Sequence, residues 1–194
     1  MNKKRKPEYA KFDYKDENKR KYRYLLRRIW NEKLPQVTFV MLNPSTAGKE
    51  KNDPTINICI NLAKSWNYGS LEVVNLFAYI TPQPKELYEP LKKGDDIVGH
   101  KNNLYILSAA KRAEAIIVAW GYWIGDVSPN KYPKIKNRPE EVLSLISCKK
   151  LYCLVDGISD DLTKNGHPRH PSPHDKSKPI IGRKLFIYNG IAKK

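Results

Sequence analysis

Val37-Thr38-Phe39-Val40-Met41-Leu42-Asn43-Pro44-Ser45-Thr46, followed shortly by Asn52-Asp53-Pro54-Thr55, is the stretch on which the fold turns. Its first six residues are apolar or β-branched and too few for a helix, so Val37–Leu42 reads as a buried strand. Asn43-Pro44 opens a turn. Asp53 before Pro54 has the form of a helix N-cap with proline at the first helical position. Ile56, Ile60 and Ala63 then supply an apolar face. Strand, polar loop and helix make one βα unit.

The pattern recurs four times along the chain. Leu71–Leu76 is a second strand, containing Asn75, and helical segments follow near Lys85–Leu91 and over His100–Ala113. Ala115–Ala119 is a third strand, ending in Trp120-Gly121. A helix over Pro139–Ile146 precedes a fourth strand, Leu151–Val155, and a last segment spans Lys184–Tyr188. Strands alternating with helices predict a parallel sheet with helices on both faces, an α/β class. Upstream, Tyr22–Trp30 reads as a strand forming a hairpin with Val37–Leu42 across the turn Asn31–Pro35. A helix over Lys19–Trp30 fits the same residues. Residues 1–20 are polar and basic and are expected to be loose, leaving 21–194 as a single domain.

The 194 residues suit one domain, and 40% apolar content is enough for a real core. No apolar run approaches the roughly 18–20 residues of a membrane span. Met1–Lys6 is basic with no apolar stretch behind it, so no signal peptide is expected. Cys59, Cys148 and Cys153 cannot all pair and are one short of a four-thiolate cluster, which points to a reducing cytoplasm.

Charge carries more information. Lys and Arg number 36 against 20 Asp and Glu, a net of +16. Residues 1–35 hold a net of +8 and residues 164–194 a net of +7, around a body of net +1. Two basic ends on a neutral body predict a polyanionic partner. Tyr22, Tyr24 and Trp30, interleaved with that charge, favour nucleic acid over a plain solvated face.

In a parallel sheet, ligands bind beyond the carboxyl ends of the strands. Asn43, Asn75 and Trp120-Gly121 stand at three such ends, and the loop His167-Pro168-Arg169-His170-Pro171-Ser172-Pro173 follows the fourth. Asn75 inside Val73-Val74-Asn75-Leu76-Phe77 needs a partner for its amide, and an amide offers the donor and acceptor that read a pyrimidine edge. Prolines around His170 fix its backbone and suit an aimed group. His167, His170 and His174 have no further ligand cluster with them, so no metal is expected.

These segments resemble the motifs of the uracil-DNA glycosylase superfamily. Asn43-Pro44-Ser45 is similar to its first motif in the mismatch-specific thymine/uracil branch. Val73-Val74-Asn75-Leu76 is similar to the strand whose asparagine reads the base. Ile117–Gly121 resembles the strand before the second motif, and His170-Pro171-Ser172-Pro173 resembles that motif. The matches run in family order over about 70% of the chain, Val37 to Pro173. The chain also resembles a bacterial group marked by Leu-Asn-Pro-Ser-Thr-Ala and Asn-Asp-Pro-Thr segments, here Leu42–Ala47 and Asn52–Thr55.

The resemblance implies a three-layer α/β/α fold around a central, mostly parallel four-stranded sheet, with an N-terminal hairpin or helix added. It implies a monofunctional DNA glycosylase that flips out a pyrimidine and hydrolyses its N-glycosidic bond. Asn43 would position water, His170 would stabilise the leaving base, and Asp53 is the nearby carboxylate available as a supplementary base. Asn75, Phe77 and Ser45 would contact the base, with Tyr79 or Trp66 as further stacking candidates. Ser172, Arg169 and Lys176 would grip phosphate. No cofactor is expected, the partner would be single-stranded or duplex DNA, and the protein would be a cytoplasmic monomer that engages no membrane.

Two departures refine the expectation. Ser45 stands where the uracil-specific branch has a tyrosine that blocks C5 substituents, so the pocket should admit uracil, thymine or a C5-modified pyrimidine. Such bases occur in viral DNA, which makes antiviral defence an expectation beside repair. His174 stands where the family has an apolar wedge, which points toward single-stranded or weakened DNA. Two other classes fit the same residues: an inactive nucleic-acid-binding module, and a hydrolase of free nucleotides.

Overall fold

The computed structural model describes residues 7–147, 149–155, 162–163, 165–172 and 184–188. Its strands are β1 (Glu8–Phe12), β2 (Arg23–Ile29), β3 (Gln36–Met41), β4 (Ser70–Asn75), β5 (Ala115–Val118), β6 (Leu151–Val155) and β7 (Lys184–Ile187). Its helices are α1 (Pro54–Ser65), α2 (Tyr88–Lys92), α3 (Asn102–Arg112) and α4 (Pro133–Leu145). The strands form one sheet in the order β1-β2-β4-β3-β5-β6-β7.

The fold is mixed α/β. Four apolar runs expected as strands make its parallel centre, β4-β3-β5-β6. The sheet is larger than four strands, because antiparallel β2 and β1 extend one side and antiparallel β7 the other. Side chains alternate across the central strands with a period of two. Val37, Phe39, Leu71, Val73 and Ile117 pack with Ile56, Cys59 and Leu62 of α1. Val40, Val74, Ile116 and Val118 pack with Ile106 and Ala109 of α3 and with Ile135 and Val142 of α4. Asp53 caps α1 as expected, its Oδ1 accepting from the Ile56 N–H at 2.9 Å.

The N-terminal expectations need correction. β2 does not pair with β3, because β4 lies between them, and the hairpin is instead β1 with β2. Glu72, on β4 and fully buried, explains the docking. Its carboxylate accepts from Arg27 Nε of β2 at 2.6 Å and from Arg112 Nη2 of α3 at 2.7 Å. A buried carboxylate requires such partners, and this long-range pairing leaves no trace in local periodicity. The helix alternative over Lys19–Trp30 is likewise overturned by β2. Nor is residue range 1–20 loose throughout: it contains β1, where Arg27 lies over the Tyr9 ring, and Arg20 lies 4.1 Å from the centroid of Phe12.

Of the aromatics expected to face nucleic acid, only Tyr24 is fully buried, and Tyr22 and Trp30 are half-buried. Tyr24 is 1% exposed and stacks on Tyr105 at 5.3 Å, and Trp30 donates its indole N–H to Tyr68 O at 2.9 Å. A second correction concerns α4, which begins at Pro133 rather than at Pro139. Pro133 takes the first helical position, and Pro139 removes only one backbone bond while its ring is buried beside the core. Cys59 and Cys153 are buried free thiols, and burial pushes the Cys59 thiol well above the ordinary range. Among the described residues, no helix is long and apolar enough to cross a membrane.

Candidate functional site

The register Met41↔Asn75 aligns the ends of β3 and β4, and Val40↔Val118 aligns β5 with them. The chain leaves β3 toward α1 on one face, whereas β4 and β5 lead to helices on the other. β3 is therefore a topological switch point, where such sheets open a crevice. A pocket of about 740 Å³ occupies it, within the roughly 300–1,000 Å³ range of small-molecule sites.

Seven of the residues expected at a site line this one pocket: Asn43, Ser45, Asp53, Asn75, Arg169, His170 and Ser172. Phe77 does not. Past Asn75 the chain leaves strand geometry, and both Leu76 and Phe77 turn into the core with Ile97 and Ile106. Trp66 stacks on Phe39 and Tyr79 packs edge-on against Tyr22, so neither reaches the pocket. Lys176 and His174 lie outside the described residues.

Asn43 is oriented by three bonds. Its Nδ2 donates to Thr81 O at 2.9 Å, Thr81 Oγ1 at 2.9 Å and Pro44 O at 3.1 Å. Two of these acceptors are carbonyls, which can only accept, so the amide cannot be reversed. Oδ1 is left as the atom able to accept from a ligand or water.

Asn75 is 2% exposed, and its Nδ2 is buried without a hydrogen-bond partner. An orphaned buried donor costs about 1–3 kcal/mol. Its backbone is held firmly: Asn102 Nδ2 donates to Asn75 O at 2.9 Å and Leu76 O at 3.0 Å, and Arg138 Nε donates to Leu76 O at 2.8 Å. The strand end is rigid while its side-chain amide is unsatisfied.

His170 is placed by the loop after β6 and by β5. Its Nδ1 lies 3.2 Å from both the N–H and the C=O of Ser172. With Nδ1 accepting from that N–H the ring proton sits on Nε2; with Nδ1 donating to the carbonyl it sits on Nδ1. Gly121 N–H donates to Pro168 O at 3.0 Å, drawing the loop onto the end of β5. Gly121 has φ +82°, and a Cβ there would stand 3.3 Å from His170 Cβ. Gly121→Ala is expected to cost about 1–2 kcal/mol from the left-handed backbone alone. It should lower Tm by a few degrees and shift the His170 ring signals in NMR; unchanged signals would separate Gly121 from His170 placement.

Under this loop, Trp120 Nε1 donates to Nδ1 of His167, 3.3 Å away, and His167 is 4% exposed. Burial, with Lys136 adding to it against Asp126, holds the His167 pKa below the ordinary 6.5. The unfolded chain therefore takes up this proton first as pH falls. The His167 contribution is complete above 6.5 and is lost as pH falls from there through the folded value. Urea midpoints at pH 7.5 and 5.5 should show this loss, and it should shrink in His167→Gln.

Sequence reading missed several pocket residues. Arg23 is 3% exposed, donates from Nη1 to Ala47 O at 2.6 Å and leaves Nε buried without a partner. Burial pushes its pKa down to about 10, with Asp53 pulling upward and Arg28 pushing further down, so it stays charged at neutral pH. Arg28 donates to Gly48 O and Asn52 Oδ1, each at 2.8 Å. The two guanidiniums tie β2 to the loop that carries Ser45 and Asp53. Tyr122, Trp123, Gln83 and Lys85 complete the mouth. Tyr122-Trp123 directly follows Trp120-Gly121, which was the available signal.

The cations Arg23, Lys85 and Arg169 face a single carboxylate, Asp53, in the lining. Among the described residues, no group of three His, Cys, Asp or Glu side chains is placed to hold a metal. The pocket thus offers fixed amides, a histidine and positive charge.

The family model described as Protein of unknown function (DUF1643) matches residues 23–172. The chain belongs to that family. The span matched in this DUF1643 chain contains every pocket residue named above and leaves out β1 and β7. No curated protein and no solved structure matches the chain.

Proposed function

We propose that the protein is a monofunctional DNA glycosylase that draws a pyrimidine into this pocket and hydrolyses its N-glycosidic bond, leaving an abasic site. One observation carries the reading. Asn75, whose buried Nδ2 has no partner, lines a pocket that Asn43 and His170 also line. A flipped pyrimidine supplies the acceptor that this Nδ2 lacks. The helices on both sheet faces support the three-layer arrangement of the uracil-DNA glycosylase superfamily.

Cleavage leaves cationic character on the sugar and negative charge on the base. A proton on His170 Nε2 would donate toward the developing base oxygen, a stabilisation worth about 2.7–4 kcal/mol. Asn43 Oδ1 would accept from the attacking water. Its Nδ2 is committed to two carbonyls, which explains an amide here: a carboxylate would face Pro44 O and Thr81 O with no proton to give. Asp53 caps α1 through Oδ1 and lines the pocket, so it remains the candidate supplementary base. Ser45 leaves room beside C5, and Ser172 and Arg169 would meet phosphate. The reaction needs no cofactor, and modified pyrimidines of viral DNA are the substrates that would give it a defence role beside repair.

A hydrolase of free nucleosides or nucleotides is the second reading. It is favoured by the inward turn of Arg23, Arg27 and Arg28, which removes three cations from the basic N-terminal surface. Mass spectrometry of bases freed from DNAs with graded C5 substituents, followed by alkaline cleavage at the gaps, tests the first. Base release from free nucleosides with none from DNA would replace it with the second, and release from neither would reject both.

A further inference from the structure

We infer that the pocket wall made by Arg23 and the first turn of α1 is a phosphate subsite, which holds a phosphate of the nucleotide whose base the pocket takes. That the phosphate belongs to a nucleotide rests on the reading above. β2 runs antiparallel to β4, so its first residue, Arg23, stands at the sheet edge where β4 ends in Asn75. There its side chain lines the pocket and is 3% exposed. Among the described residues the guanidinium makes one hydrogen bond, from Nη1 to Ala47 O at 2.6 Å, and Nε is buried without a partner. A guanidinium carries five N–H donors in a fixed fork, and a phosphate matches that fork with two oxygens at once.

A buried charge bonded to a single neutral carbonyl is costly unless an anion completes it. The neighbouring Arg28 has no such need, since it donates to Arg27 O, Gly48 O and Asn52 Oδ1, each at 2.8 Å. Asp53 is the carboxylate that acts on Arg23, and Arg28 opposes its pull. The Asp53 Oδ1 is in any case spent on the Ile56 N–H. α1, 12 residues long, begins at the same wall, where Pro54, Thr55 and Ile56 line the pocket. Pro54 has no N–H, Asp53 caps Ile56, and the Asn57 N–H donates to Asp53 O at 3.1 Å. The Thr55 N–H is left as the first-turn donor with no acceptor within the helix. A helix N-terminus favours negative charge, and Ser45 and Thr46 add hydroxyls to the same lining.

The probes are inorganic phosphate, thymidine, thymidine monophosphate, and a single-stranded oligonucleotide with one neutral methylphosphonate beside a thymidine. Phosphate, compared with chloride at equal ionic strength, is expected to shift the Arg23 Nε–H signal in NMR of the wild-type chain. Thymidine monophosphate should bind about tenfold or more tightly than thymidine, the usual worth of a hydrogen bond to a charged group. Arg23→Met should abolish that advantage, and Arg23→Lys should lose most of it, because an ammonium keeps the charge without the fork. If the methylphosphonate also weakens oligonucleotide binding about tenfold, the phosphate comes from DNA; if only the monophosphate gains, it comes from a free nucleotide. Equal binding of charged and neutral probes in both arms overturns the inference, as does an advantage that survives in Arg23→Met. Should that variant fail to fold, an unmoved Arg23 signal at high phosphate overturns it equally. Each of these results leaves the glycosylase standing. A phosphate-shifted Arg23 signal in a chain that binds neither nucleotide nor DNA keeps the subsite and removes the reading that names its occupant.

Discussion

His170→Ala is expected to reduce the rate of base release by about 10²–10³-fold, the usual cost of losing one preorganised donor at a developing negative charge. Affinity for DNA should stay within about threefold, since a donor aimed at the transition state contributes little to ground-state binding. Single-turnover kinetics beside equilibrium binding separates the two. Loss of binding with intact chemistry would make His170 a structural residue. Asn43→Ala is expected to act on the same step, with an added effect: Asn43 also bridges to Thr81 and Pro44, so its removal loosens the loops after β3 and β4. Asn43→Asp is the sharper variant, because the carboxylate loses both carbonyl contacts. It should destabilise the chain more than alanine does, read as a lower Tm.

The second large effect is a divergence of stability and function at Asn75. Asn75→Leu replaces an amide with a side chain of similar size and removes a buried donor that has no partner. Relief of that group should stabilise the fold by about 1–3 kcal/mol, measured as a higher urea midpoint. Base release should fall by at least 10²-fold, because an apolar group offers nothing to the base edge. Such opposition is the usual mark of a residue kept for function at the expense of stability. If Asn75→Leu lowers stability, the amide has a structural partner in solution and its assignment as base reader fails. Asn102→Ala offers a related contrast: it leaves the amide in place but frees the backbone of β4, so it should weaken discrimination among bases before it abolishes turnover.

The local signals in the chain were strong where chemistry acts over a few residues. Asp53-Pro54 named the start of α1 because a cap and a fixed φ are near-neighbour effects. The apolar runs named four parallel strands because burial on both faces leaves no alternation. Other features depended on distant partners. Nothing around Arg27 tells that Glu72 waits on β4, so local sequence points β2 toward β3 rather than to its actual neighbour β4. Nor does local sequence tell that Tyr24, a candidate surface group for nucleic acid, stacks on Tyr105 of α3 and is buried there. Phe77, a base-contact candidate on the resemblance alone, follows the end of β4 at Asn75, and its ring turns into the core.

What the sequence by itself determined is the α/β class, the strands whose ends carry Asn43, Asn75 and Gly121, and the helix cap at Asp53. Periodicity, capping and proline geometry operate within a turn or two of chain and are written there. Only the tertiary structure decided the strand order, the inward turn of the β2 arginines and the seating of the His170 loop on the end of β5. Those depend on which buried charge finds which partner and which loops share a strand end, and such pairings are fixed only when the whole sheet assembles.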